Sequence, residues 1–407
     1  MRMNRTLMQD VHLVVDDWRK MVFVSGPRQV GKTTLAKAML AGRPGRYFNW
    51  DLATDRKILA KDPLFFEKDC AGSTAKPPLV VLDELHKYAR WKNYLKGAFD
   101  GFGDRFAFMV TGSGRLDVYK RGGDSLLGRY VPLILFPLTV AELAGKRETW
   151  ASFQTGLDAS DVPGTLAKDA LQTLLRLGGF PEPFFRGSDA FHRTWGAGRT
   201  ERLVREDIRD ATSLRELSLL EMLAHLLPER VGSPLSLNSM REDLGVAFET
   251  VRAWVGVLDS FYYSFRLSPW TKRIARSLRK EAKLYLWDWA EVDAEGARFE
   301  NLVGLHLLKA VRTWTHVGEA NLDLTYVRDK QKREVDFLIV EKNQPRLLVE
   351  CKLSDTTLSP HLLAFQEALD VPHAIQLVRA PGIARRTSIG RRSQWVISAD
   401  RWLMKLV

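Results

Sequence analysis

The sequence contains very little cysteine. Cys70 and Cys351 are the two cysteines among 407 residues. Two cysteines are too few for a disulfide framework or for a structural zinc site built on cysteine, and such sparse use is typical of a reducing compartment. We therefore expect a cytoplasmic protein that is held together by its hydrophobic core.

Long apolar runs are scarce as well. The longest, such as Val131–Leu138, are far too short to span a bilayer. Asp16 and Asp17 interrupt the first apolar stretch, which argues against a secretory signal. We therefore expect no membrane association. A chain of 407 residues can still bury a full core, and its length predicts two to three domains.

Acidic residues are outnumbered by basic ones. Asp and Glu number 49 and Lys and Arg 61, which gives a net charge of +12. Such an excess favours an acidic partner, and nucleic acid is the commonest one. The alternative is a basic surface that serves only solubility.

Up to about residue 145, short apolar runs alternate with stretches of helical character. Runs that are apolar at nearly every position are typical of strands buried on both faces. Alternation of such strands with helices predicts an α/β fold with a parallel sheet. The predicted strands are Met21–Ser25, Leu79–Asp83, Phe106–Thr111 and Val131–Phe136, and the predicted helices are Lys32–Leu40 and Tyr88–Phe99.

After a predicted polar linker at residues 146–165, the chain becomes mainly helical. Two helices separated by Gly245 and followed by aromatic residues and a strand have the order of a winged helix. From about residue 283, strands and an amphipathic helix alternate again. The predicted helices are Leu166–Leu177, His192–Leu227, Leu237–Leu244, Phe248–Leu258 and Arg298–Val311, and the predicted strands are Tyr262–Leu267, Leu284–Trp287, Glu334–Val340 and Leu347–Leu353.

Residues 26–33, GPRQVGKT, match the phosphate-binding pattern G-x-x-x-x-G-K-[ST] at every position. Glycines let the backbone approach phosphates, and successive N–H groups before a helix form an anion-binding nest. Lys32 would neutralise the β- and γ-phosphates of ATP, and the Thr33 hydroxyl can ligate Mg²⁺. A chance match is expected in roughly one chain in a hundred. The predicted nucleotide-binding residues are Gly26, Pro27, Arg28, Gln29, Val30, Gly31, Lys32, Thr33 and Thr34.

The predicted strand Leu79–Asp83 ends in two carboxylates. Asp83 would hold Mg²⁺ through water, and Glu84 would polarise the attacking water as a general base. Without a phosphate loop, a cap at the end of a strand would explain the pair. Beside the loop, the pair favours hydrolysis over binding alone.

Several stretches resemble the AAA-type P-loop ATPases of bacteria and archaea that carry a C-terminal domain of unknown function. The first are GPRQVGKTT, LVVLDELHK, MVTGSGRLD and LLGRYVPLILFPLT. The stretches GGFPEP, RLVREDIRD, LYLWDWAEV, GARFENLVGLHLL and REVDF…LLVECK extend the resemblance over nearly the whole chain. The resemblance implies the AAA+ fold in the first third of the chain.

By the same resemblance, Thr111 or Ser113 looks like the sensor that reads the γ-phosphate. Gly114 departs from the family, which more often has a small polar residue there. Arg129 is similar in placement to an arginine finger, a residue that acts in a neighbouring subunit's site and so implies a ring. Arg115 is a competing candidate, and Arg129 in a surface ion pair is the alternative.

Four residues nearer the C-terminus form a second candidate site. Glu300 lies near the start of a predicted helix and Asp336 in a predicted strand, and Glu350 and Lys352 share one face of the next strand. In Mg²⁺-dependent phosphodiester cleavage, carboxylates hold the metal, and a lysine orients or deprotonates the water. The set resembles the restriction-endonuclease-like fold. The alternative is such a fold kept only as a nucleic-acid platform, with Lys352 and the carboxylates paired with one another.

Two basic clusters and the predicted winged helix are candidate nucleic-acid contacts. Residues 271–283 carry six basic residues and one acidic residue, which favours contact with phosphates over a merely solvated loop. The second cluster is made of Arg385, Arg386, Arg391 and Arg392. In the winged helix, the residues nearest to bases would be Glu249, Thr250 and Arg252, and Glu249 disfavours tight phosphate contact. A packing or dimerisation module is the alternative there.

We therefore predict three domains: an AAA+ ATPase domain at 1–150, a helical and winged-helix domain at 165–270, and a nuclease-like domain at 271–407. The predicted function is an oligomeric, ATP- and Mg²⁺-dependent motor or remodeller that acts on duplex or branched DNA. Its predicted catalytic residues are Glu84, Lys32, Arg129 and Thr111. An ATP-regulated, metal-dependent nuclease is one alternative. The other is a regulatory switch that hydrolyses slowly, against which the charge of +12 argues.

Overall fold

The computed structural model describes residues 5–69, 76–114, 126–157, 164–212, 214–271 and 281–407. The chain divides into two compact units. The first unit is Met1–Phe136 with two short segments from later in the chain, Asp210–Thr212 and Ser260–Tyr262, and the second unit is the remainder. The division into three domains stays a prediction. Cys70, Arg115 and residues 272–280 of the basic stretch lie outside the described residues.

A parallel sheet forms the centre of the first unit. Its strands are β1 Met21–Ser25, β2 Gly45–Asn49, β3 Leu79–Asp83, β4 Ala107–Gly112 and β5 Tyr130–Ile134. Within the described part of the chain, their order across the sheet is β2-β3-β4-β1-β5, and all neighbours run parallel. The inner strands β3, β4 and β1 are buried along their whole length, as their apolar sequences require. The predicted α/β fold with a parallel sheet is confirmed.

Two elements of the first unit differ from the sequence prediction. Strand β2 is missing from the prediction because it lies at the sheet edge, where a half-buried strand needs no continuous apolar run. The helix predicted at Tyr88–Phe99 begins only at Trp91, because a tight 3-10 turn at Leu85–Lys87 comes first. The helices are Leu7–His12, Lys32–Leu40, Ala53–Lys61, Phe65–Asp69 and Trp91–Phe102.

The predicted linker at residues 146–165 is wrong for its first part. Thr149 caps the helix Trp150–Thr155 by accepting a hydrogen bond from the Ser152 amide. The Trp150 ring packs on Trp314, with 5.2 Å between ring centroids. The segment is therefore held by aromatic packing. Polar composition alone concealed this because only two large apolar side chains do the packing.

The stretch His192–Leu227, predicted to be helical from its apolar spacing, does not form one continuous helix. It is broken by a widened, π-helical turn at Leu203–Ile208 and by the non-helical residues 214–216. Apolar residues at three- and four-residue spacing do not distinguish one long helix from several short ones. The helices after β5 are Val140–Leu143, Trp150–Thr155, Gly164–Leu177, Pro181–Arg186, Asp189–Arg202, Arg209–Ala211, Leu217–Leu226, Leu237–Leu244, Phe248–Ser260, Glu295–His316, Pro360–Ala368 and Ala399–Leu403.

The helix pair of the predicted winged helix lies close to its predicted positions. Gly245 joins Leu237–Leu244 to Phe248–Ser260 with a φ of 66°, a conformation that favours glycine. The next strand begins at Ser264 and not at Tyr262, because Tyr262 has a φ of 60° and belongs to the first unit. Whether the pair acts as a winged helix stays a prediction.

A mixed sheet forms the centre of the second unit. The strands are β6 Ser264–Leu267, β7 Lys283–Leu286, β8 Leu322–Arg328, β9 Glu334–Glu341, β10 Gln344–Lys352, β11 His373–Val378, β12 Ala384–Ile389 and β13 Arg392–Ser398. Among the described residues, the order is β12-β13-β11-β10-β9-β8, and β6 pairs with β7. Strands β10, β11 and β13 run parallel, so their carboxyl ends lie at the same edge.

The long helix Glu295–His316 packs against the mixed sheet and contributes many buried apolar side chains to its core. In the described ranges, no helix combines the length and the apolar composition needed to cross a membrane.

Candidate active site

The phosphate loop connects β1 to the helix Lys32–Leu40. Gly26, Gln29 and Gly31 have φ angles of 152°, 65° and 102°, which turn the backbone N–H groups of the loop. A Cβ atom on Gly26 would collide with the backbone carbonyl of Leu135. Because that neighbour is backbone and not a flexible side chain, only glycine fits there.

Lys32 lies across this loop. Its side chain is buried, and its ammonium donates hydrogen bonds to the carbonyl oxygens of Gly26 at 2.9 Å and Pro27 at 2.8 Å. Carbonyl oxygens carry only partial negative charge, so a phosphate can compete with them for the ammonium.

Arg5 supports the loop from behind and is absent from the sequence prediction. Its guanidinium donates to the carbonyl of Val30 at 3.0 Å and to the carbonyl of Phe136. The side chain is buried, and the two bonds fix the loop relative to the chain that follows β5. No spacing in the sequence links residue 5 to a loop 25 residues later.

Three hydroxyl groups surround Asp83 at the end of β3. Thr33 donates to Oδ2 at 2.8 Å, Tyr47 donates to the same oxygen at 2.6 Å, and Thr111 donates to Oδ1. The structure thus brings together the predicted residues Thr33, Asp83 and Thr111 and adds Tyr47 from β2. Burial, together with Asp83, raises the pKa of Tyr47, so its phenol keeps its proton.

These oxygen atoms fit a magnesium ion. Mg²⁺ prefers hard oxygen ligands and keeps several of its waters, so one carboxylate and one hydroxyl are enough on the protein side. Thr33 and Asp83 supply that pair.

Glu84 follows Asp83 in a left-handed conformation with a φ of 55°. Burial raises the pKa of its carboxyl to about 7, although Lys32 and Lys87 oppose the shift. Its Oε2 lies 3.5 Å from Nε2 of His86 and 3.7 Å from Nζ of Lys87. Burial lowers the pKa of His86 to about 3, so that ring is neutral at neutral pH. Glu84 is therefore a carboxylate able to accept a proton near pH 7.

The sensor candidate Ser113 and the arginine-finger candidate Arg129 are also predicted for this site. Ser113, one of the two sensor candidates, is buried just after β4, whereas Thr111 contacts Asp83 directly. Arg129 forms a two-pronged ion pair with Asp100, at 2.6 and 2.9 Å.

Two of the four predicted C-terminal residues, Glu300 and Asp336, contact a fifth residue, Lys283. The Lys283 side chain is 1% exposed, and its ammonium lies 2.6 Å from Glu334, 2.9 Å from Glu300 and 3.3 Å from Asp336. The sequence prediction counted Lys283 in the basic stretch that would contact phosphates, and that was wrong, because this lysine is buried among carboxylates. We call Lys283, Glu300, Glu334, Asp336, Glu350 and Lys352 the carboxylate cluster.

Glu350 and Lys352 complete the carboxylate cluster. Lys352 Nζ lies 2.7 Å from Glu350 Oε1, and Asp336 accepts a hydrogen bond from the Cys351 amide at 2.9 Å. Burial and the nearby Asp336 raise the pKa of Glu350 to about 7 and that of Glu300 to about 8. In the part of the chain that the structure describes, no group of three His, Cys, Asp or Glu side chains is placed to hold a metal ion.

Three regions of the chain match known protein families. Residues 18–144 match the family described as an AAA domain, residues 168–292 match a domain of unknown function (DUF8612), and residues 295–399 match another (DUF4143). The chain thus carries an AAA-type P-loop ATPase domain followed by two domains of unknown function.

Two whole proteins are similar in sequence to this chain. Uncharacterized proteins of Mycobacterium bovis and Mycobacterium tuberculosis are each 26% identical over 267 residues, which is 66% of this chain. The chain spans about half the length of these relatives, 54% in each case.

Two solved structures are similar at low identity. The Walker-type ATPase of Pyrococcus abyssi is 12% identical with a TM-score of 0.43, covering 72% of this chain and 96% of that one. A katanin chain from work on katanin self-assembly is 16% identical with a TM-score of 0.26, covering 61% and 82%.

Proposed function

We propose that this protein hydrolyses ATP at the phosphate loop and uses the energy, as an oligomer, to act on DNA. The observation that carries the ATPase part is the meeting of Lys32, Thr33, Asp83 and Glu84 at one edge of the parallel sheet. The match of residues 18–144 to an AAA domain supports it.

Each residue at this edge has a distinct task in hydrolysis. Lys32 exchanges its two carbonyl partners for phosphate oxygens of ATP. Thr33 and Asp83 hold Mg²⁺, which neutralises phosphate charge when it is bound. Glu84 accepts the proton of the attacking water. Thr111, through Asp83, links the end of β4 to this group.

Two substitutions test the ATPase part separately. Lys32→Ala should weaken nucleotide binding and abolish turnover, whereas Glu84→Gln should keep binding and lower turnover by about a hundredfold or more. Binding is measured with a fluorescent ATP analogue and turnover by phosphate release. Unchanged affinity in Lys32→Ala would contradict the proposed site.

The proposed role of Arg129 as an arginine finger depends on assembly into a ring, because a finger acts in a neighbouring subunit's site. Its two-pronged ion pair with the half-exposed Asp100 would have to open before Arg129 reached the γ-phosphate of ATP in that site. The molar mass in solution with and without ATP measures assembly directly.

DNA is the partner that the charge favours. The net charge is +12, and strand β12 is exposed at every residue. Arg385 and Arg386 lie on this strand, and Arg386 lies 5.4 Å from the centroid of the Trp395 ring. Arg392 pairs with the exposed Asp370 at 2.8 Å, a partner that phosphates can replace. In the helix pair, Arg252 lies 3.5 Å from the exposed Glu249, a pair that is as weak as the one between Arg392 and Asp370.

A DNA titration at two salt concentrations tests this part. Affinity should fall steeply with salt, and ATP turnover in the same samples should rise with DNA. Arg386→Glu should weaken binding if strand β12 contacts DNA, and Arg252→Glu should weaken it if the helix pair does. ATP turnover that no DNA changes would refute the DNA part and leave the ATPase part standing.

A metal-dependent nuclease is the second candidate, and the position of Lys283 weighs against it. The ammonium already lies within 3.3 Å of two carboxylates that would hold a metal, and a divalent cation there would be repelled by its charge. Nicking of plasmid DNA with Mg²⁺ or Mn²⁺, abolished by Lys352→Ala or Asp336→Ala, would establish it. Plasmid that stays intact with both metals would remove it.

A further inference from the structure

The second unit contains a half-open cavity of about 490 Å³ at the carboxyl ends of three parallel strands. Leu353 and Ser354 line it directly after β10, residues 379–381 directly after β11, and Asp400 just after β13. Small molecules bind preferentially outside the carboxyl ends of parallel strands, because the connections that leave the strands diverge there. Neither Glu300 nor Glu350 lines the cavity, so it is separate from the carboxylate cluster.

One wall of the cavity is apolar. The helix Gly164–Leu177 places Leu171 and Leu175 along it, and Leu353 and Pro381 contribute further carbon atoms. The volume lies within the range of small-molecule pockets, about 300–1,000 Å³. The cavity can therefore take the body of one ligand of drug or nucleotide size.

Basic side chains outnumber acidic ones in the rest of the cavity lining. Four basic side chains line it against two acidic ones: Lys168, Arg176, Arg298 and Arg379 against Glu295 and Asp400. Burial raises the pKa of the Asp400 carboxyl, which disfavours its charged form. Glu295 pairs with Arg379 at 3.2 Å, but both side chains are exposed and such pairs are weak. An incoming anion can therefore replace Glu295 as the partner of Arg379.

Backbone hydrogen bonds fix the loops that carry these groups. The Arg379 amide donates to the Lys352 carbonyl at 3.0 Å, and the Ala380 amide donates to the Leu353 carbonyl at 3.3 Å. The Ser398 hydroxyl donates to the Ala380 carbonyl at 2.8 Å. A wall that is ordered before the ligand arrives lowers the entropic cost of binding.

We propose that this cavity binds a small organic anion, with a phosphate or carboxylate head beside Arg379 and an apolar or aromatic body against Leu171 and Leu175. The proposal does not rest on the ATPase or on DNA binding, because all these residues lie in the second unit.

Anilinonaphthalene sulfonate, a fluorescent anion with an aromatic body, is a suitable probe. It is titrated into the full chain in a Lys32→Ala background, which weakens anion binding at the phosphate loop and leaves the lining of the cavity unchanged. We expect one saturable site, with an affinity at least about tenfold lower in Arg379→Glu and in Leu175→Arg, since each removes one half of the recognition. Displacement by phenyl phosphate or by benzoate then identifies the preferred head.

Lys330→Glu is the matched control, because it makes the same charge change in the exposed turn between β8 and β9 of the same sheet and does not line the cavity. We expect it to bind the probe as the chain with Lys330 does. Equal losses in Arg379→Glu and Lys330→Glu, or the absence of a saturable site, would overturn the proposal. Thermal melting of Leu175→Arg and Arg379→Glu distinguishes lost binding from lost folding, and Arg379→Glu carries the test if Leu175→Arg does not fold.

Discussion

Replacing Lys283 by methionine removes a buried positive charge that three half-buried carboxylates share. Lys283 Nζ lies within 3.3 Å of oxygens of Glu300, Glu334 and Asp336, and its side chain is 1% exposed. Methionine has a similar length and no charge, so the change leaves little empty space. Removing one partner of a buried ion pair costs about 3–5 kcal/mol, because the remaining charges are left without a counter-ion.

Proton uptake by the carboxylates offsets part of this cost. The pKa of Glu300 is raised to about 8, above its ordinary value near 4.5, so its neutral form is already accessible in the folded protein. When a carboxyl has a higher pKa in the folded protein than in the unfolded one, the folded protein loses stability as the pH rises. The Lys283→Met variant should therefore lose more stability at pH 8 than at pH 6.

Thermal unfolding measures the effect. A loss of 3–5 kcal/mol in a unit of this size lowers the melting temperature by roughly 10 °C. Lys352→Met is the control, because Lys352 is about one-third exposed and its direct partner is Glu350, so it should cost less. A melting temperature of Lys283→Met close to that of the wild type would refute the ion-pair interpretation.

Metal addition separates the ion-pair interpretation from the nuclease alternative. In a Lys32→Ala background, which weakens nucleotide-linked metal binding, Mn²⁺ should raise the melting temperature of Lys283→Met and leave the chain with Lys283 unchanged. Equal stabilisation of both would mean that the carboxylate cluster takes a metal while Lys283 is in place.

Three further predictions concern single residues. Gly26→Ala should abolish nucleotide binding, measured by fluorescence, because its Cβ meets the Leu135 carbonyl; normal binding would contradict the loop geometry. Arg129→Ala should keep nucleotide binding and lose turnover, whereas Asp100→Ala should keep both; equal turnover in the two variants would exclude the arginine finger. Burial lowers the pKa of His306 to about 3, so unfolding free energy should fall by roughly 1.4 kcal/mol per pH unit below pH 6.5, and a His306→Gln variant melted across pH should show a smaller slope.

The phosphate loop could be predicted from the sequence because its chemistry is local. Eight consecutive residues determine both the backbone shape and the groups that face a ligand, and the flanking apolar strand and helix supply the context. The hydroxyl partners of Asp83 also differ in how far the sequence predicts them. Thr33 follows from the phosphate-loop pattern and Thr111 from the family resemblance, whereas Tyr47 comes from an edge strand whose mixed sequence does not predict a strand.

Lys283 shows why the second site was harder to predict than the first. In the sequence it ends a run of basic residues, and such runs are usually solvated. Its burial depends on β7 pairing with β6 and on a helix and a strand that come 17 and 53 residues later. Local composition carries no information about these long-range neighbours. The sequence therefore predicts that Lys283 is solvated, whereas the structure shows that it is buried.

Charge balance distinguishes the two acidic centres of this chain. Asp83 is surrounded by neutral hydroxyl groups, which can turn from the carboxylate to a metal ion or its waters at little electrostatic cost. The carboxylate cluster already contains Lys283, and a divalent ion would have to displace or repel that ammonium in a region of low dielectric. The neutral hydroxyl partners of Asp83 favour magnesium at the phosphate loop, and the presence of Lys283 disfavours it at the carboxylate cluster, although carboxylates are present at both sites.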